Sequence, residues 1–105
     1  MNERTKALRI PRSVKSKVFE RDNRRCILCG SWKGQPNAHY ISRAQSGLGI
    51  EQNVVTLCYS CHMDYDQSPA RSYLKSEIRQ YLQSVYPDWD ESRLVYRKGE
   101  SDGNS

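Results

Sequence analysis

Cys26-Ile27-Leu28-Cys29 and Cys58-Tyr59-Ser60-Cys61 are two Cys-x-x-Cys pairs with 28 residues between them. A two-residue gap lets a tight turn aim both sulfurs at one ion, and four thiolates suit tetrahedral zinc. The separation is longer than the commonest zinc-ribbon spacing and leaves room for a finger-like excursion between the knuckles. A redox dithiol and unliganded buried cysteines are the competing readings of the same four residues. Four cysteine ligands fill the coordination shell, so an ion held there organises the chain and has no position left to activate water.

The rest of the composition shows why such a staple is needed. Leu, Ile, Val and Phe supply only 19 of 105 residues, and the formal charge is +5. That share of large apolar side chains lies in the range where chains commonly fail to fold. Structural zinc in small modules contributes on the order of 10 kcal/mol, enough to offset a thin core. The length fits one domain. No stretch approaches the roughly 18 consecutive apolar residues of a membrane span. The chain begins Met1-Asn2-Glu3-Arg4-Thr5-Lys6, without the apolar run of a secretory signal. A cytoplasmic, reducing setting is therefore expected, where cysteines bind metal rather than pair as disulfides.

The basic excess is local. Residues 1–25 carry nine Lys or Arg against Glu3, Glu20 and Asp22, and the remaining eighty are nearly neutral. A basic segment on a neutral body suits a polyanion such as nucleic acid, because Lys and Arg on phosphates release counterions. A merely solvated basic face is the alternative.

Outward from the cysteines, residues 1–9 read as a flexible basic arm. Ser13 is a plausible N-cap for a helix over about 14–22, with Val14, Val18 and Phe19 facing inward. Residues 37–41 form a candidate strand, 42–52 a glycine-containing surface loop, and Val54-Val55-Thr56-Leu57 a second, β-branched strand. A short helix is expected from Tyr59 to about Asp66. Ser68-Pro69 signals another helix start, since proline suits the first helical position. That helix carries Leu74, Ile78, Tyr81, Leu82 and Val85 on one face and stops before Pro87. Trp89, Leu94 and Tyr96 should fold back over the body, and 99–105 should be disordered.

Only two histidines occur, His39 between the knuckles and His62 directly after the last cysteine. On a helix His62 and Asp66 share a face, so imidazole and carboxylate could hold one divalent cation, with Asp64 a less well aligned alternative. Taken alone, a histidine after a zinc knuckle is more often a surface or satisfied packing residue, and spacing does not settle the choice.

Residues 37–66 carry His39, Asn53, the pair Cys58 and Cys61, and His62 in an order that resembles the HNH endonuclease motif. Ile10-Pro11-Arg12-Ser13, Arg21-Asp22 and Cys26-x-x-Cys29 further resemble the small, often phage-encoded members with a four-cysteine zinc. The similarity spans roughly residues 8–98. It implies an α+β, zinc-stabilised domain: a ββα-metal (His-Me) finger at about 37–66, flanked by N- and C-terminal helices, within a nuclease domain of residues 10–98. By motif position His39 is the general base, and Asn53 either touches the ion or braces the loop holding His39. The same correspondence makes His62 and Asp66 the ligands of a catalytic Mg²⁺ or Mn²⁺. Ala38 stands where many members place a metal-binding Asp or His, which leaves the ion to be held either by only His62, Asp66 and waters or with Tyr40 or Asn53 compensating.

Three function classes follow. The first is a metal-dependent DNA endonuclease that nicks with low sequence specificity, with Arg12, Lys15, Lys17 and Arg43 contacting DNA. The second is a non-catalytic zinc module that binds nucleic acid or a phage packaging partner, for which Ala38 is the best argument. The third is a redox or metal-storage protein. The expected partner is DNA, with phage packaging proteins added by analogy. A monomer with no membrane association is expected.

Overall fold

A computed structural model describes residues 2–98. The expected disorder of 99–105 lies outside the described residues. The centre is a two-stranded antiparallel sheet of β1 (Gln35–His39) and β2 (Val54–Leu57). β2 matches its expected bounds and is buried along its whole length. β1 begins and ends two residues earlier than the pattern predicts. Its register pairs Gln35 with Leu57, Ala38 with Val55 and His39 with Val54, with an irregularity between residues 35 and 38. Pro36 falls inside that irregularity, and it has no N–H to donate to a ladder. Strand pairing ends after Tyr40 N–H donates to the Asn53 carbonyl at 2.7 Å. At the next residue, the Ile41 N–H goes to the Asn53 side chain instead.

Four α-helices surround the sheet: α1 (Glu3–Leu8), α2 (Arg12–Arg21), α3 (Tyr59–Gln67) and α4 (Arg71–Val85). α1 corrects the flexible arm expected over residues 1–9. Asn2 Oδ1 accepts from Thr5 N–H at 2.7 Å, capping the first turn, and Leu8 is buried. α2 starts at Arg12 rather than after Ser13. Pro11 occupies the cap position, and its carbonyl accepts the N–H groups of Val14 and Lys15. Val18 is fully buried beneath α2.

α3 follows the second cysteine pair as expected. α4 begins two residues later than Ser68-Pro69 suggested. Ser68 Oγ accepts from Ala70 N–H at 3.0 Å, so the pair builds the turn between α3 and α4 rather than the first turn of α4. Ile78 and Leu82 are fully buried, and Leu74 and Tyr81 pack against the same cluster, which also contains Tyr40, Val55, Leu57, Tyr65 and Leu94.

Two devices tie the helices to the sheet. The Asp22 carboxylate, fully buried, accepts from Arg21, from Tyr81 Oη at 2.5 Å and from Thr56 N–H at 2.8 Å. Arg21 in turn donates to the carbonyls of Glu51 and Val54. This buried charge is fully hydrogen-bonded, the condition under which burial is tolerated. The C-terminal segment folds back as expected. Trp89 Nε1 donates to the Gln52 carbonyl, and the Leu94 carbonyl accepts from Leu48 N–H. The second half of the loop over 42–52 is thus held, and the first half contains a helical turn at Arg43–Gln45. Among the described residues no helix is long and apolar enough to cross a membrane.

Candidate metal centre and active site

The four cysteines, 28 residues apart as pairs, meet at one point. Their Sγ atoms all lie within 4.8 Å of one another, and Cys29 Sγ is 3.6 Å from Cys58 Sγ. A tetrahedral ion with metal–sulfur bonds of about 2.3 Å requires sulfurs about 3.8 Å apart, so the separation fits a shared ion. It is far from a disulfide's roughly 2 Å, and all four thiols are free.

Local backbone explains the convergence. In the first knuckle Gly30, at φ 80°, returns its N–H to the Cys26 carbonyl, a left-handed turn that suits glycine. In the second, Cys58 caps α3 and Cys61 sits in the helix's first turn. Burial pushes the Cys26 thiol up, but the N–H groups of Cys58, Cys29 and Leu28 outweigh it and bring the thiol down to about 7. Burial and the other three sulfurs push Cys61 well up. One easily ionised thiol beside a reluctant one is an arrangement that a bound cation resolves by deprotonating the set. The donor set and spacing are those of a structural metal site.

A second group of residues lies beyond the cysteines. Pleating places Ala38 inward, fully buried, and leaves the adjacent His39 half-buried on the opposite face. His39 Nε2 lies 2.8 Å from the Leu8 carbonyl. Burial lowers the His39 pKa below the ordinary 6.5; the Leu8 carbonyl opposes this, while the nearby Arg43 and His62 reinforce it. This environment favours the neutral imidazole at His39. NMR of the zinc-loaded protein without added divalent ion should show the His39 ring titrating below 6.5, whereas titration above 6.5 would contradict this environment.

On α3 the expected i, i+4 pair forms, with His62 Nε2 3.6 Å from Asp66 Oδ2 and both side chains partly exposed. Among the described residues, the four thiols are the one group of three or more Cys, His, Asp or Glu donors gathered within metal-binding range. The α3 pair thus stands without a third such ligand.

The two residues considered as compensating ligands are committed elsewhere. Tyr40 Oη donates to Glu91 and accepts from Arg79, both at 2.9 Å. Asn53 is completely buried; its Oδ1 accepts from Ile41 N–H, and its Nδ2 donates to the carbonyls of Ile41 and Leu48. Of the two roles open to Asn53, the geometry is that of a brace for the loop after His39.

A cleft of about 200 Å³ opens beside His39, lined by Arg9, Ile10, Lys15, Asn37, His39 and Arg43. Of the basic residues expected to contact DNA, Lys15 and Arg43 line it. Arg12 lines a neighbouring shallow cleft with Lys15. Lys17 is outside both and pairs with Glu51 at 3.7 Å. Sequence reading missed Arg9 and Asn37 as part of this lining. Arg9 was visible only as one charge in a basic stretch, and nothing in the spacing linked it to His39. No protein-family model, curated protein or solved structure matches this chain.

Proposed function

We propose that this chain is a metal-dependent DNA endonuclease of the HNH type, built on a ββα-metal finger formed by β1, β2 and α3. The observation that supports it most is the cleft itself: a neutral, half-buried histidine flanked by Arg9, Lys15 and Arg43. Three cations around one base fit a phosphodiester, whose oxygens take charge-assisted hydrogen bonds from Arg and Lys. His39 takes a proton from a water molecule, a role a neutral imidazole performs well near neutral pH. The resulting oxygen attacks phosphorus, a new P–O bond forms, and the bond to the departing 3′ oxygen breaks. Arg9, Lys15 and Arg43 hold the phosphate in place and offset its charge. Asn53 keeps the following loop from moving. His62 and Asp66 would hold a divalent ion such as Mg²⁺ or Mn²⁺, which when bound would supply charge neutralisation. The four thiolates hold zinc as the skeleton and take no part in the reaction.

Contacts to the backbone position DNA without reading its sequence, so cleavage should be sequence-tolerant. With one such site per chain, nicks should precede double-strand breaks.

Supercoiled plasmid incubated with zinc-loaded protein should become open circles when Mg²⁺ or Mn²⁺ is added and stay supercoiled without it. The second reading, a zinc module that binds DNA without cutting, is favoured by the lack, among the described residues, of a third Cys, His, Asp or Glu beside the His62–Asp66 pair. Tight plasmid binding with no nicking under any divalent ion would establish it instead. Within the nuclease reading, Arg9→Ala and Arg43→Ala should each weaken DNA binding across unrelated sequences and reduce the salt slope by about 1. Unchanged salt dependence in both variants would remove the cleft from the DNA interface.

A further inference from the structure

The first cysteine knuckle carries an aromatic side chain that the core does not use. Trp32 is 70 % exposed, although tryptophan is highly buried on average. Its turn is nonetheless well tied. Cys26 N–H donates to the Ser31 carbonyl at 2.9 Å, and Lys33 N–H donates to Ser31 Oγ at 3.0 Å. The Arg25 guanidinium lies 4.5 Å from the centre of the indole ring, and its Nε donates to the Gly30 carbonyl at 3.0 Å. Asn23 and Arg24 bring the chain to this point at φ 58° and 59°, a left-handed conformation uncommon for residues other than glycine. Backbone held this way is costly and clusters at ligand clamps.

We propose that Trp32 and Arg25 form a stacking site for one unpaired base of single-stranded DNA, separate from the cleft at His39. A cleft of about 430 Å³ opens beside the ring, bordered by Asn23, Arg25, Ile27, Gly30, Trp32 and Tyr81, and none of these lines the His39 cleft. Arg25 covers one face of the indole and leaves the other to solvent. A base on that open face gains the stacking that an aromatic ring gives to any of the four bases. Arg25 and the exposed Lys33 supply cations for the adjoining phosphates.

The acidic groups nearby are already engaged. Asp22 also borders the cleft, but its carboxylate is committed to Arg21, Tyr81 and Thr56, and Glu20 pairs with Arg24 at 2.9 Å. An apolar protein side chain on the same ring would strip water from Arg25 without offering a counter-charge. A duplex keeps its bases stacked on one another, so only an unpaired base presents a free face. The stacking site needs no cleavage and does not rest on the nuclease reading.

The test uses full-length, zinc-loaded protein without added Mg²⁺ or Mn²⁺. The probe is oligo(dT) of about 12 nucleotides, within the range that one small single-strand module covers. Wild-type tryptophan fluorescence should be quenched as the oligonucleotide binds. Trp32→Tyr, in which only Trp89 remains, its Nε1 tied to the Gln52 carbonyl, should show no such quenching. Trp32→Ala should bind oligo(dT) about 5- to 100-fold more weakly, and Trp32→Tyr should recover most of that loss. For a duplex of the same length, Trp32→Ala should stay within about twofold of wild type. Both variants should keep zinc and dispersed amide spectra, since Trp32 is mostly in solvent. No binding of oligo(dT), binding without quenching in the wild type, unchanged affinity in Trp32→Ala, or an equal loss for duplex and single strand would each overturn the proposal. Binding without quenching would leave the ring to a partner protein instead. His39→Ala protein that nicks as fast as wild type would refute the nuclease reading alone; the fluorescence titration would still decide the stacking site.

Discussion

Cys58→Ser should leave the chain without a folded domain at ambient temperature. The large apolar residues number 19 of 105, and the core they build is stitched together around one small sheet. Structural zinc contributes on the order of 10 kcal/mol in small modules, while whole domains are stable by about 5–15 kcal/mol. Losing one ligand of four therefore removes a share comparable to the total. Cys58 is a severe place to lose it, since it is 7 % exposed, ends β2 and caps α3. The serine variant should bind zinc poorly and give a collapsed amide spectrum by NMR. Chelation of zinc from the wild type should produce the same spectrum. A dispersed spectrum from either sample would mean that the apolar cluster and the Arg21–Asp22 network suffice alone.

His39→Ala should abolish most nicking without disturbing the fold. General-base catalysis is worth about 10² to 10⁴ in rate, so kcat should fall by that factor. DNA affinity should stay within about threefold, because Arg9, Lys15 and Arg43 remain to hold phosphates. Zinc content should be unchanged, since His39 is not among the four thiolate ligands. Equal nicking by purified wild type and His39→Ala would remove His39 as the base and point to a contaminating nuclease.

What could be read from the sequence depended on how local the cause was. A Cys-x-x-Cys turn is set by a few residues, and both knuckles appear where the spacing put them. β2 and the apolar stripe of α4 were legible because β-branched runs and i, i+3, i+4 spacing each impose one geometry. Boundaries moved where side chains or missing donors decide them. Pro36 disrupts the ladder near the start of β1, Asn53 ends the pairing after Tyr40, and Ser68 spends its hydroxyl on a turn. α1 was missed because its charges read as a solvated arm, although Asn2 caps it and Leu8 anchors it.

The site followed the same division. The helical pairing of His62 with Asp66 is local and was visible. The Leu8 carbonyl beside His39, 31 positions away, is a backbone atom with no signature in any residue type. Arg9 enters the cleft because Gly49 lets the chain pass, a relation between distant positions that one sequence does not display.

The proposed division of labour between a closed thiolate centre and a separate, loosely held cation can be tested in one crystallographic measurement. Crystals of the zinc protein soaked in manganese, with data collected at both absorption edges, should show zinc among Cys26, Cys29, Cys58 and Cys61. They should show manganese beside His62 and Asp66. Manganese absent from that pair at every soaking concentration, with zinc alone in the lattice, would contradict the account and leave a binding module without hydrolytic chemistry.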